Sequence, residues 1–267
     1  MESNELYVDY SVAKRFLSDT NDWVFRELDY RSLEYNLGAV FQEAVNMPRS
    51  QARMMGESGH EMLPLIVKLI MVDEDGDSIW LNNELANSGI DKKPKISILG
   101  GHVEYDMSAV NVREHMDHTH ILRLNLYREL CEELGINYVP KDIEHVSLRC
   151  VLNDVFNTMG IEVTQKGRVG DTVGYNQYYC MTNRESIAVY YVVKGIRVPQ
   201  ELIASGKFVK LSRDDVSYID TLIQKHGVDT AKMMYRGIVA PSDIRFPING
   251  NCDYIIPSIF KTPGLVS

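Results

Sequence analysis

Cysteine is scarce in this chain and scattered. Four occur in 267 residues, at Cys131, Cys150, Cys180 and Cys252, and none forms a C-x-x-C pair. That usage suggests neither a zinc ribbon nor a secreted disulfide framework. No long basic run is present. Lys and Arg number 28 against 37 Asp and Glu, giving a net charge of −9, which disfavours bulk binding of nucleic acid. Long apolar runs are missing too: the longest, Leu63 to Val72, is too short to span a bilayer and contains Lys68. Met1 to Tyr10 is polar and acidic, unlike a signal peptide, so a reducing cytoplasm is the expected compartment. Internal repeats and low-complexity tracts are absent. What is there, 45% hydrophobic and 24% charged residues, describes a soluble globular protein with ample core.

The most informative stretch is Arg128-Glu129-Leu130-Cys131-Glu132-Glu133-Leu134-Gly135-Ile136. Leu122, Leu126, Leu130 and Leu134 recur every fourth residue, the stripe of an amphipathic helix over Ile121 to Leu134. On that helix Glu129 and Glu133 stand one above the other, with Glu132 flanking them. Like charges at this spacing cost a helix a few tenths of a kcal/mol per pair. A divalent-cation site would remove that cost, and hard cations such as Mg²⁺ favour carboxylate oxygens and phosphate-bearing substrates. Arg128 adjoins Glu129 and precedes Glu132 by four, so it can orient or partly neutralise a carboxylate. Gly135 supplies a helix stop.

This stretch resembles the second half of the box of the Nudix hydrolases, G-x5-E-x7-R-E-U-x-E-E-x-G-U with U aliphatic. All seven fixed positions of R-E-U-x-E-E-x-G-U are filled. Gly100-Gly101-His102-Val103-Glu104, after the strand-like Lys95 to Leu99, resembles the family's glycine pair and following acid. The departure lies between the halves. The box's first glutamate falls on His120 counting back from Arg128, and on Met107 counting forward from Gly101. Residues 107 to 119 therefore read as an insertion, and Glu104, Glu114 or Asp117 could replace the absent glutamate in space. The insertion is histidine-rich. With His102 and His120 this region holds four of the chain's seven histidines, read as a polar loop rather than a zinc site.

The resemblance implies an α/β/α sandwich with a mixed sheet and hydrolysis of a diphosphate joined to another group, commonly a nucleoside diphosphate derivative. It implies Mg²⁺ or Mn²⁺ as cofactor, polarising phosphoryl oxygens and neutralising charge. Glu132, Glu133, Glu129 and the Gly100 carbonyl are the implied metal ligands. Glu129 is also the implied water-activating base, oriented by Arg128. Glu104, Glu114 and Glu201 are further candidate ligands. A different function class stays open, a catalytically weak nucleotide-binding sensor or interaction module, because the box loop is altered. Isomerisation of an isoprenoid diphosphate is disfavoured, since Cys131 lies inside the helix.

Along the chain, residues 1–60 read as a helical N-terminal extension, with Ser11 or Asp19 as caps and Arg49 to Gly59 as a linker or mobile loop. Residues 61–225 form the expected hydrolase-like domain, and 226–267, with four prolines, a C-terminal wrap. Leu63 to Val72 reads as a buried strand and Asp73 to Asp77 as a hairpin turn. The acids there have the spacing of a Ca²⁺ loop, but Ser78 stands where such a loop needs glycine. Ile143 to Leu152 and Ser186 to Val193 read as strands, joined by a long loop from Asn153 to Glu185. Gly101, Lys166, Arg168 and Tyr175 are candidate substrate-binding residues, the basic pair for phosphates and the tyrosine for a base. Gly206 to Val216 reads as a strand feeding a helix capped by Ser212. A small-molecule nucleotide diphosphate is the expected partner, with capped RNA still open. No membrane partner is expected. The N-terminal extension is compatible with a homodimer.

Overall fold

The computed structural model describes residues 4–16, 26–28, 38–83, 96–104, 118–139, 147–164, 177–181, 186–215 and 259–266. It is an α/β protein built on a mixed sheet, as the sequence predicts. The spine is β4 (Met62–Asp73), twelve residues of almost unbroken apolar character. A strand buried on both faces needs such a run. β10 (Ile187–Arg197) lies parallel to β4, pairing Ile187 with Leu65 through Val193 with Met71. Other neighbours take β4 in succession. β1 (Asn4–Asp9) pairs with its first residues, β7 (Leu99–His102) with Ile66 to Leu69, and β5 (Ser78–Asn83), itself paired with β6 (Ile96–Ser97), with Met71 and Val72. The main path runs β11 (Phe208–Ser212), β5, β4, β10, β9 (Gln177–Met181), β2 (Arg26–Leu28).

Side chains alternate across β4. Leu65, Val67, Leu69 and Met71 join one core with Leu122, Leu126, Leu130 and Leu134 of α4 (His118–Leu134) and Val151, Leu152, Val155 and Phe156 of α5 (Leu148–Met159). The leucine stripe is therefore the buried face of the acidic helix. Gly135 and Ile136 close it, through Ile136 N–H to the Cys131 carbonyl at 2.8 Å. The opposite face of the sheet is covered as well, since Ile66, Ile70, Tyr190 and Val192 are all buried. Among the described residues no helix is long and apolar enough to cross a membrane.

Five expectations need correction. The first 60 residues are not wholly helical. Besides α1 (Tyr10–Phe16), a short helix α2 at 38–42 and α3 (Arg49–Glu57), they contain β1, β2 and β3 (Val45–Pro48). Leu6, Tyr7 and Val8 form a contiguous apolar triplet whose backbone pairs with both β3 and β4. Arg49 to Gly59 is not a linker. Pro48, extended at the end of β3, is the N-cap of α3, and Ala52 anchors the helix against Tyr7 and Met47. Helix α1 is capped by Asp9, whose Oδ1 accepts from Ser11 N–H at 2.8 Å; Asp19 lies outside the described residues.

Further along, the described part of Ile143 to Leu152 is not a strand. Leu148, Val151, Leu152, Val155 and Phe156 have helical spacing, Ser147 Oγ accepts from Cys150 N–H, and Gly160 ends α5. The long loop from Asn153 is accordingly shorter, giving up its first residues to α5 and later ones to β8 (Glu162–Val163) and β9. The hairpin at Asp73–Asp77 and the β11-to-helix junction follow the sequence reading. Ser212 N–H and Oγ both donate to Asp215.

Candidate functional site

The two separated sequence segments meet. β7 carries the glycine pair along the edge of β4, and α4 crosses beside it. Gly100 has φ +119, a conformation that side chains rarely adopt, and a Cβ there would stand 2.1 Å from the Val67 carbonyl oxygen. Only glycine lets β7 press this close to the central strand. Its N–H donates to Glu133 Oε2 at 2.9 Å. Gly101 serves a different purpose. A Cβ there would fall 2.2 Å from Glu129 Oε2, so the missing side chain makes the space the Glu129 carboxylate occupies. Glu133 thus bonds the Gly100 backbone, while Glu129, one turn away, packs its carboxylate against Gly101.

Arg128 binds the rest together. Its Nη2 donates to Glu129 Oε1 at 2.6 Å and to the His102 carbonyl at 3.0 Å. Its Nη1 reaches Glu132 Oε1 at 3.2 Å and Glu104 Oε1 at 3.3 Å. One guanidinium serves three carboxylates and a backbone carbonyl, a task suited to its planar fork of donors. Burial alone would lower the Arg128 pKa; Glu129, Glu104 and Glu132 outweigh it and hold the group charged. Burial pushes the Glu129 carboxyl up from its ordinary value, with Glu132 and Glu104 adding to the rise and Arg128 and Lys68 opposing it.

Lys68, noted in the sequence only as a charge within the apolar run, belongs to this site. Its Nζ donates to the Gly100 carbonyl at 2.7 Å and to the Ile98 carbonyl at 3.3 Å. The Gly100 carbonyl, an expected metal ligand, is therefore engaged by an ammonium here. A second group missed by sequence reading comes from the N-terminal segment. Buried Glu5 accepts from Tyr7 Oη at 2.6 Å and from Arg49 Nη2 at 2.9 Å, and that nitrogen also lies 2.8 Å from His102 Nδ1. Burial, with Arg49, Lys68 and Arg128 nearby, lowers the His102 pKa to about 4 against the pull of Glu5, so the ring is neutral at pH 7.

The predicted site residues divide as follows. Arg128, Glu129, Glu132, Glu133, Gly100, Gly101 and Glu104 are brought together. Glu201 stands exposed in the first turn of α6 (Gln200–Ala204), and none of the contacts described above includes it. Glu114, Asp117, Lys166, Arg168 and Tyr175 lie outside the described residues. Among the described residues no three His, Cys, Asp or Glu side chains converge to hold a metal ion. The donor set nonetheless has the chemistry of a Mg²⁺ or Mn²⁺ site. It consists of carboxylate oxygens whose charge is partly offset here by Arg128 and Lys68, and burial raises the Glu129 pKa in spite of them.

No protein-family model and no curated protein sequence matches this chain. Among solved structures it is similar to "Tm1382, a putative Nudix hydrolase", with a TM-score of 0.40 and 10% identity over 80% of this chain and 88% of that one. At that distance the likeness does not by itself assign an activity.

Proposed function

We propose that this chain is a divalent-metal-dependent hydrolase of the Nudix type, cleaving the diphosphate of a nucleoside diphosphate linked to another group. The observation that carries the reading is the Glu133 bond to the Gly100 N–H, with the Glu129 carboxylate packed in the space left by Gly101. These contacts bring two motif halves distant in sequence side by side, which supports reading them as one acidic site. Glu132, Glu133 and Glu129, with Glu104 beside them, would hold Mg²⁺ or Mn²⁺. A bound cation would supply charge neutralisation and polarisation of the phosphoryl oxygens.

The chain's own residues do the rest. Arg128 fixes the Glu129 carboxylate by a 2.6 Å charged hydrogen bond. Glu129, its pKa raised by burial and its carboxylate held by Arg128, is the group assigned to take a proton from an attacking water. Exposed Glu132 faces solvent, the side from which a charged substrate would arrive. Lys68 pins the Gly100 carbonyl and sets the orientation of that peptide. One observation favours the second reading, a nucleotide-binding sensor: Arg128 already pairs with three of the carboxylates without a metal ion.

The deciding experiment measures phosphate or nucleotide release from a panel of diphosphate compounds with Mg²⁺ or Mn²⁺, wild type beside Glu132→Gln. The expected result is metal-dependent cleavage that falls by about two orders of magnitude or more in the variant, with the melting temperature kept. Ligand-induced thermal stabilisation without cleavage of any compound would favour the sensor. Equal turnover in both proteins at saturating metal would remove Glu132 from the site.

A further inference from the structure

We infer that Asn125 is a positioning residue of the acidic site, clamping Glu104 onto helix α4 so that its carboxylate takes the place of the glutamate missing from the interrupted box. The inference rests on the metal-site reading proposed above and extends it to two residues on either side of the insertion.

The clamp is made by a side chain buried inside a helix, where an amide is costly unless satisfied. Asn125 is 5% exposed. Its Oδ1 accepts from the Glu104 N–H at 2.8 Å, and its Nδ2 donates to the Glu104 carbonyl at 3.0 Å. The side chain thus treats Glu104 as a strand would, bonding both backbone groups of one residue. Its second amide hydrogen goes to the Ile121 carbonyl at 2.9 Å, and Oδ1 is also 3.5 Å from Arg128 Nη2. Both donors and the acceptor are employed. Asp would lack the two donors, Leu all of them, and Gln would displace the amide by a methylene.

The clamp acts where β7 has ended and the chain leaves toward the insertion. Glu104 also forms an isolated antiparallel bridge with Glu5 of β1. Val103 N–H donates to the Leu65 carbonyl, and its own carbonyl accepts from Leu6 N–H, both at 2.9 Å. Backbone bonds to β1, β4 and α4 therefore fix residues 103 and 104 just before the sequence departs from the motif. The result is visible in the side chain: Glu104 Oε1 lies 3.3 Å from Arg128 Nη1, the nitrogen that also serves Glu132. A carboxylate outside the helix thus shares the Arg128 guanidinium with Glu129 and Glu132, supplied by the strand side of the insertion rather than by position 107 or 120.

Mn²⁺ binding tests this without relying on turnover. Affinity is read by the loss of free Mn²⁺ paramagnetic resonance signal, on the full chain, for wild type, Glu132→Gln, Glu104→Gln, Asn125→Ala and the Glu104→Gln/Asn125→Ala double variant. Glu104→Gln and Asn125→Ala are each expected to weaken Mn²⁺ binding by roughly 10- to 100-fold, the usual range for groups that orient a metal's ligands. The double variant should lose no more than Glu104→Gln alone, because Asn125 acts through Glu104. A purely structural Asn125 would instead lower the melting temperature and leave Mn²⁺ affinity intact, or give losses that add; either result overturns the inference. Should Asn125→Ala fail to fold, Glu104→Gln decides alone, since it leaves the clamp in place: wild-type affinity there refutes the assignment. Failure of wild type to bind Mn²⁺ at millimolar concentration sinks this inference together with the hydrolase reading. Loss in Glu132→Gln but not in Glu104→Gln sinks this inference only.

Discussion

At the scale of single residues, the two neighbouring glycines separate stability from chemistry. A methyl group on Gly100 would meet backbone, the Val67 carbonyl at 2.1 Å and Lys68 Cα at 2.9 Å, in a conformation with φ +119. Backbone cannot step aside cheaply, so Gly100→Ala is expected to cost on the order of 3 kcal/mol, read as a fall in melting temperature. The nearest atoms to a methyl on Gly101 would be those of the Glu129 carboxylate, the end of a side chain rather than backbone. Gly101→Ala should melt within a few degrees of wild type and lose most of its metal-dependent turnover; normal turnover would show that the Glu129 position is not needed. Lys68 allows a test of sign. Burial raises the Glu129 pKa, and Lys68 is one of the charges that oppose the rise. Lys68→Met leaves the rise less opposed, so Glu129 takes its proton at higher pH. A base must be unprotonated to work, so the acid limb of kcat/KM is expected to move to higher pH. Movement to lower pH would exclude Glu129 as the base.

At the scale of elements, what the sequence revealed was what depends on neighbours along the chain. β4 was legible because ten of its residues are nearly all apolar, and α4 because four leucines repeat every fourth residue. The acid cluster was legible by spacing alone. α5 was misread from the β-forming residues near Ile143, although Ser147, Gly160 and the helical spacing between them carried the right signal. The contacts of Lys68 with Gly100, Asn125 with Glu104 and Arg49 with Glu5 join residues 32, 21 and 44 positions apart, and no local pattern encodes such pairs. The same holds for Asp73, read only as part of a hairpin turn. It stands at the end of β4 and accepts from Trp80 Nε1 of β5 at 2.9 Å and from Lys210 Nζ of β11 at 2.6 Å, tying three strands. Burial would raise its pKa, but Lys210 and Trp80 outweigh burial and hold it below the ordinary 3.8. A carboxylate with a depressed folded-state pKa stabilises above its unfolded pKa and loses that contribution as pH falls through the folded value. Asp73→Asn is therefore expected to cost about 1–2 kcal/mol at pH 7, discounted because Lys210 is partly exposed. The gap from wild type in thermal melts should narrow below pH 4. A gap independent of pH would assign the loss to packing.

At the scale of the whole molecule, the question is whether the N-terminal segment is an appendage. Reading residues 1–60 as an extension implies that a chain beginning at 61 could fold. The packing argues otherwise. Leu6, Val8, Ala13 and Val40 belong to the same buried core as β4, α4 and α5. β1 adds backbone bonds to β4 and, through Leu6, to Val103 beside the glycine pair. Removing these residues would expose Leu63, Leu65 and Val103 and leave the backbone of Met62 to Pro64 without its β1 partner, an open strand edge with apolar neighbours. Four buried aliphatic or alanine side chains at roughly 1–3 kcal/mol each for the larger ones compare with a total stability of about 5–15 kcal/mol. The chain from 61 to 267 is thus expected to aggregate or to melt without a cooperative transition, judged by circular dichroism and size exclusion. Folding cooperatively at near wild-type temperature would instead show that the segment is a separable cap. In that case the second readout matters: Arg49 and Glu5 flank His102, so a folded truncation that keeps Mn²⁺ affinity but changes substrate preference would place the segment over the substrate rather than under the core.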